Sequence, residues 1–346
     1  MNFEKIPPVE SSKSLLDFAF KKAREQGKLK DLKGNWLQII RKKESLKLDI
    51  IKDVLVTRME KTIQSFPDID KLPAFYLKLM ELTLEPGQVK KSLAALNWAN
   101  KKILFFQKEF VSKINLTKDR KSISDVSRQF YGRVSSVLKQ IGSNLTYLEE
   151  SRKIMRSFPD IKEMFTVCIY GFPNVGKTTL LNKLTATKAK VAAYAFTTKS
   201  INTGYLLANN LKVQVIDVPG TLDRKEMNNI EMQAELVMTE LAEVIIYVFD
   251  PSAYCGYSVK KQEELLQKLL KLQKINQKKI FIYLSKQDLP ESRPPPSFKY
   301  KYYFIEELKK EILEIAQEKY LVKEKERAEE LAREKDLIAK EKETAE

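Results

Sequence analysis

The stretch Gly171-Phe-Pro-Asn-Val-Gly-Lys-Thr178 constrains this chain more than any other. It fits G-x-x-x-x-G-K-[ST], a loop whose backbone N–H groups close around phosphate oxygens. That chemistry needs a strand before the loop and a helix after it. Phe165–Tyr170 is β-rich, and Thr179–Leu184 reads as a helix start. Glycines permit the tight turn, and the helix adds a positive dipole end. Lys177 is expected to reach the β- and γ-phosphates, and the Thr178 hydroxyl to ligate Mg²⁺. Asn174, Val175, Gly176 and Thr179 complete the cofactor-binding loop.

The hydrophobic period divides the chain of 346 residues into three parts. Residues 1–160 read as a helix bundle. Helical spacing runs through Leu46, Ile50, Ile51, Val54 and Leu55, through Ser92 to Phe110, and through Val126 to Met155 as one run. Breaks are expected at Phe66-Pro67, Glu85-Pro86-Gly87 and Phe158-Pro159. Residues 161–315 alternate short apolar runs with helical segments, the pattern of an α/β domain with a mostly parallel sheet. Expected strands are 165–170, 201–207, 212–217, 244–250, 279–284 and 301–304, with helices following Lys177, Asn229, Ser258 and Ile305. Residues 316–346 are charged and low in complexity, which suggests a solvated helical tail rather than a docking arm.

Further motifs follow the phosphate loop in order. Asp217-Val-Pro-Gly220 ends a predicted strand, where an acidic residue holds Mg²⁺ and a glycine N–H senses the γ-phosphate. Between the two motifs lies Ala193-Tyr-Ala-Phe-Thr-Thr198-Lys199. Thr198, favoured over Thr197, is expected to donate its hydroxyl to Mg²⁺ in a segment ordered by GTP. The residues expected to act at the reacting phosphate are therefore Lys177, Thr198 and Gly220. Ser285-Lys286-Gln287-Asp288 fits the guanine motif Asn-Lys-x-Asp, with Ser in place of Asn. Asp288 can accept from guanine N1 and N2, and the Lys286 stem can cover the base. Ser285 loses the amide that ties this loop to the phosphate loop. The usual Ser-Ala turn after the last strand is also absent, so guanine preference with modest affinity is expected.

Charge narrows the partners. Formal net charge is +16, and residues 1–160 hold 32 basic against 19 acidic side chains. That excess points to a polyanion, either nucleic acid or an anionic membrane surface. Basic clusters stand at Lys21, Lys22, Arg24, Lys28, Lys30 and Lys33, at Arg41, Lys42, Lys43 and Lys47, and at Lys118, Arg120, Lys121, Arg128 and Arg133. Trp36, Trp98, Phe105 and Phe106 lie near them. Such rings can stack on bases, but the expectation is that they fill the bundle core. With no His, imidazole chemistry is excluded, and zinc sites effectively so. Two cysteines suggest no disulfide framework and fit a reducing cytoplasm. The absence of a signal-like N-terminus or an 18-residue apolar run predicts a soluble protein.

These motifs together resemble the nucleolar GTP-binding protein 1 family, in the Obg-like branch of translation-factor-type GTPases, in its short archaeal form. The likeness is carried by Gly171–Lys177, Tyr194–Ser200, Asp217–Asp223, Asn229–Ala234 and Cys255-Gly256. It extends to Asn2–Pro7, Phe66–Asp70, Pro73–Met80 and Tyr147–Arg152, so it covers about residues 1–315. The resemblance implies a factor in large ribosomal subunit assembly, its basic domain against ribosomal RNA. Such a protein would be cytoplasmic and monomeric off the ribosome, with GTP or GDP and Mg²⁺ as cofactors. Thr221 stands where Ras-like proteins carry a water-orienting Gln, so intrinsic hydrolysis is expected to be slow. Asn174 has two readings: it caps the loop, or it helps hold a K⁺ ion beside the phosphates. The rival functional reading is a degenerate GTPase that scaffolds RNA with little turnover.

Overall fold

The structure is a computed structural model, and it describes residues 3–26, 34–185, 190–193, 200–208, 211–218, 229–276, 278–289, 293–294, 296 and 298–343. The chain divides into two compact units at Phe158 and Pro159.

The first unit is helical: α1 (Ser12–Gln26), α2 (Trp36–Ser65), α3 (Ala74–Thr83), α4 (Pro86–Leu116), α5 (Arg120–Gln140) and α6 (Gly142–Arg156). Local chemistry sets the ends. Asn35 and Gln38 form a reciprocal capping box at the start of α2. Pro86 occupies the first turn of α4, where its missing N–H costs nothing. Asp119 accepts from the Ser122 N–H at 2.9 Å and caps α5. The run expected as one helix from Val126 to Met155 is two, because the chain turns at Ile141, whose φ of −90° and ψ of 5° both end α5 and start α6. The apolar period continues across this turn: Leu138, Ile141 and Leu145 are all buried. The core is built from Leu48, Ile51, Leu55 and Met59 of α2, Leu96 and Ile103 of α4, and Phe130, Val134 and Leu138 of α5. Burying each such side chain fully contributes about 1.5–3 kcal/mol relative to leaving it in water.

The expectation that the aromatics fill this core is overturned for three of the four; Phe106 is half-buried and meets Phe110 edge-on. Trp36, Trp98 and Phe105 are 61%, 40% and 59% exposed. On α4 the buried face is Val89, Leu96, Ala99, Ile103 and Phe110, and Trp98 and Phe105 fall outside that stripe.

The second unit carries a six-stranded sheet in the order β2-β3-β4-β1-β5-β6. The strands are β1 (Thr166–Tyr170), β2 (Lys190–Ala193), β3 (Ser200–Ala208), β4 (Leu211–Asp217), β5 (Val244–Phe249) and β6 (Lys279–Leu284). β4, β1, β5 and β6 are mutually parallel, and β3 and β2 add an antiparallel edge. Every residue of β1 and β5 is buried, as a sheet packed on both faces requires. The helices are α7 (Lys177–Leu184), α8 (Asn229–Leu236), α9 (Val259–Asn276) and α10 (Ile305–Glu343). A π turn, Val237–Leu241, extends α8.

Two strand expectations change. β2 was not anticipated. Residues 301–304 make only one bridge, Tyr303 to Tyr283, because α10 begins at Ile305 and leaves no room for a ladder. The boundary expected after residue 315 falls inside α10. Leu308, Ile312 and Ala316 are buried in the unit, and Lys319 pairs with Glu243. Among the described residues, no helix is long and apolar enough to cross a membrane.

Candidate nucleotide-binding site

Parallel strands end together, and that places the motifs side by side. Ile169 of β1 lies opposite Asp217 of β4, and Phe249 of β5 lies opposite Leu284 of β6. Gly171, Asp217, Asp250 and Ser285 thus gather at the carboxyl edge of the sheet, where ligands bind in open α/β folds.

The phosphate loop needs its glycines. Gly171 has φ +149°, and a Cβ there would stand 2.9 Å from the Val248 carbonyl oxygen. Gly176 has φ +100° at the entry to α7, and Asn174 adopts φ +61°. Val175 is buried and anchors the loop, while Asn174, Thr178 and Thr179 are exposed. Lys177 is buried, and its Nζ donates to the carbonyls of Phe172 at 2.8 Å and Gly171 at 3.2 Å. The ammonium is thus held under the loop, beside the phosphate cradle.

Thr178 Oγ1 donates to Asp217 Oδ2 at 2.6 Å, joining the phosphate loop to the end of β4. Asn202 of β3 donates to the same oxygen at 3.2 Å. Sequence reasoning missed Asn202. Its only signal is the antiparallel register that sets it opposite Asp217. Burial pushes the Asp217 carboxyl above the usual range; the Thr178 hydrogen bond, the Lys177 charge and the Asn202 amide offset this only in part. A buried carboxylate short of positive charge, beside a hydroxyl, fits a hard divalent cation. Among the described residues no three Asp, Glu, Cys or His side chains gather to hold a metal. Thr198 and Gly220 lie outside the described residues, as do Thr197 and Thr221.

At the base end, Ser285 is buried and Asp288 exposed. Lys286 has φ +53°, and its Nζ meets Asp250 Oδ2 at 2.7 Å. Asp250 is fully buried and also accepts from Ser252 N–H at 3.1 Å, Ser252 Oγ at 2.5 Å and Cys255 N–H at 2.8 Å. Burial pushes its carboxyl up, but these donors, Lys286 foremost, outweigh it and hold it below the usual range. Gln262 of α9, wholly buried, accepts from the Asp250 N–H at 2.8 Å and donates to the Asp250 carbonyl at 3.0 Å. Neither Asp250 nor Gln262 was singled out from sequence. Cys168 sits in β1 with its thiol pushed up by burial, as a core residue would be.

The basic clusters fare unequally. Arg41 donates to the Thr117 carbonyl at 2.8 and 3.1 Å, and Lys47 pairs with Glu44. Those two side chains are engaged within the unit. Lys118, Arg120, Lys121, Arg128 and Arg133 are all exposed. Lys28, Lys30 and Lys33 lie outside the described residues.

Residues 3–162 match the family model described as NOG1 N-terminal helical domain, and residues 166–286 match the one described as 50S ribosome-binding GTPase. An uncharacterized protein of Methanocaldococcus jannaschii is 33% identical over 270 residues, which is 77% of this chain and 76% of that one. Nucleolar GTP-binding protein 1 of Drosophila melanogaster is 32% identical over 84% of this chain and 46% of its own. That of Saccharomyces cerevisiae is 29% identical over 84% and 45%. The chain therefore spans about half the length of these two nucleolar relatives. With both domains matched in order, and one relative identical at a third of the aligned positions along most of both chains, the protein belongs to the nucleolar GTP-binding protein 1 family.

Proposed function

We propose that this chain is a GTP-operated switch that acts in assembly of the large ribosomal subunit, its helical unit against ribosomal RNA. The observation that carries the reading is the 2.6 Å link from Thr178 to Asp217, which couples the phosphate loop to the segment that senses the γ-phosphate. Lys177, Thr178 and the loop N–H groups from Asn174 to Thr179 hold the phosphates, and Ser285, Lys286 and Asp288 receive guanine. Thr178, Asp217 and Thr198 would hold Mg²⁺, whose charge neutralises the β- and γ-oxygens. Asn174, exposed beside the loop, is the residue for a K⁺ ion, which would supply positive charge at the same oxygens. Matched KCl and NaCl hydrolysis assays separate that role from simple capping.

Thr221 is too short to orient water as Gln does, so basal hydrolysis is slow. Binding to the ribosomal particle accelerates it by acting on the segments that carry Thr198 and Gly220. The protein works in the cytoplasm, as a monomer when off the ribosome. The likeness of residues 166–286 to a family of 50S ribosome-binding GTPases supports the partner.

The outer face of α4 supports RNA as the ligand of the helical unit. It presents Trp98 and Phe105 two turns apart, with Lys101, Lys102 and Lys108 exposed beside them. Rings for base stacking among cations for phosphate make a platform for unpaired nucleotides.

Gradient co-sedimentation with ribosomal particles tests the whole reading, using a non-hydrolysable GTP analogue, GDP and an ATP analogue at fixed salt and K⁺. Association with large-subunit particles in the GTP-analogue tube alone is expected. Equal association in all three would favour an RNA scaffold with little turnover. No association in any would remove the ribosomal partner.

A further inference from the structure

The base-reading loop carries Ser285 where an Asn amide ordinarily ties it to the phosphate loop, yet the two loops still meet. A Cβ built on Gly176 would stand 3.6 Å from the Ser285 Cβ. The Ser285 hydroxyl is not the tie, because it donates back to the Phe249 carbonyl at 3.2 Å. A different route joins the loops. Phe172 of the phosphate loop is buried and stacks on Tyr257, with ring centroids 4.3 Å apart and planes 17° from parallel. The Tyr257 carbonyl accepts from Gln262 Nε2 at 3.0 Å. Gln262 in turn grips both backbone polar groups of Asp250, and Asp250 holds Lys286. Lys286 needs such a hold: a lysine in the left-handed region persists only where its surroundings impose it.

We propose that Asp250 and Gln262 are positioning residues for base recognition, taking over the tether that Ser285 cannot supply. Neither has to touch the nucleotide. Asp250 fixes the Lys286 ammonium, which sets the stem over the base and the turn that presents Asp288. Gln262 locks Asp250 to the 250–257 segment, and the Phe172–Tyr257 stack locks that segment to the phosphate loop. All donors and acceptors in this route are buried or half-buried, where hydrogen bonds reinforce one another. Base selection would then depend on α9, an element outside every nucleotide motif.

This inference rests on the guanine reading, so the experiment separates the two. Affinities of the full chain for GDP, inosine diphosphate and xanthosine diphosphate would be measured by competition against a fluorescent GDP. Asp288→Asn is the control. An amide can donate to the O2 of xanthine, so this variant should trade GDP for xanthosine diphosphate. Failure of that exchange would overturn the guanine reading and the inference with it. With the exchange in place, Asp250→Asn and Tyr257→Leu should each lower the preference for GDP over inosine diphosphate, which lacks the 2-amino group, by about tenfold. A merely structural role would weaken both nucleotides equally. An unchanged ratio in the folded variants would therefore overturn the positioning role while leaving guanine recognition intact. Should Asp250→Asn fail to fold, as judged by thermal melting, Tyr257→Leu decides alone, because that ring is only half-buried and bears no buried charge.

Discussion

In the helical unit the largest buried side chains are apolar, among them Leu48, Met59, Leu96 and Phe130. Among the described residues, the four buried side-chain atoms that lack a hydrogen-bond partner lie there, on Ser45, Asn100, Ser127 and Arg152. In the GTPase unit five of the buried polar side chains, Lys177, Asp217, Asp250, Gln262 and Ser285, each make hydrogen bonds. They also converge on one edge of the sheet. The first unit is held mainly by apolar shape, with a few polar groups such as Asn100 and Arg152 enclosed and much of its basic charge facing outward. The second has its polar chemistry inside, aimed at a ligand. A buried polar network costs most when half-satisfied, so the second unit tolerates polar substitution at the site worst, and the first tolerates cavities worst.

The sharpest way to break this contrast is to open a hole in the helical core. Phe130 is fully buried and touches Phe110 edge-on, with centroids 5.8 Å apart. Phe130→Ala should destabilise the helical unit by about 3–5 kcal/mol. Hydrogen exchange read peptide by peptide should show the loss in residues 34–158, with protection of β1, β4 and β5 retained. A loss spread evenly through both units would mean that they do not unfold separately.

The matching change in the GTPase unit is Lys177→Ala. It removes the ammonium from the phosphate cradle and leaves the carbonyls of Gly171 and Phe172 without that donor. Hydrogen bonds to a charged group are worth about 1.5–3 kcal/mol, so GDP affinity should fall by about 10- to 100-fold. Fluorescent-nucleotide titration measures it, and the thermal stability of the helical unit should stay where it was.

How much of this contrast could be read in advance depends on whether short-range chemistry decided it. The phosphate loop was legible because its glycines and lysine must sit at fixed spacing. Asp217 was legible because it ends a strand. Asp250 and Gln262 were not, since their pairing depends on where α9 lies against β5, twelve residues along the chain from one to the other. The break at Ile141 was hidden because the apolar period runs through it. β2 escaped notice for a related reason: Lys190–Ala193 is short, and its backbone is satisfied by pairing with β3 rather than by a strong pattern of its own. The exposed rings are a different case. Leu96, Ala99 and Ile103 already defined the buried stripe of α4, and a helical wheel drawn on them places Trp98 and Phe105 outside it.

A smaller effect should appear in acid, and in the helical unit. Glu149 accepts from Arg152 through both oxygens, at 2.7 and 2.8 Å, and from the Val9 N–H at 2.8 Å. The Arg152 hydrogen bonds hold its carboxyl below the usual range, outweighing partial burial, with the Val9 N–H adding to them. Its folded value thus lies under its unfolded one. The stability it contributes is present above the ordinary glutamate range and is lost as pH falls through the lowered value. Glu149→Gln, at a cost of about 1 kcal/mol at neutral pH, should flatten that acid limb of the melting curve. An unchanged acid limb would assign it to other carboxylates.

A change in salt dependence tests the outward chemistry of the helical unit. If α4 is the RNA platform, Lys101→Ala should weaken binding to single-stranded ribosomal RNA fragments alike for every sequence. It should also reduce the slope of log affinity against log salt by about 0.7, the counterion released at one single-strand phosphate. Trp98→Ala should instead leave the slope alone and remove about 1–3 kcal/mol of stacking. The two variants therefore separate charge from ring on one helix face. Lys47→Ala supplies the comparison inside the same unit, because that ammonium already pairs with Glu44 at 2.7 Å. If Lys47→Ala lowers the slope as much as Lys101→Ala does, the contact is a diffuse cloud over the whole basic unit. If only Lys101→Ala does, the RNA lies along α4, and the exposed rings are there to receive its bases.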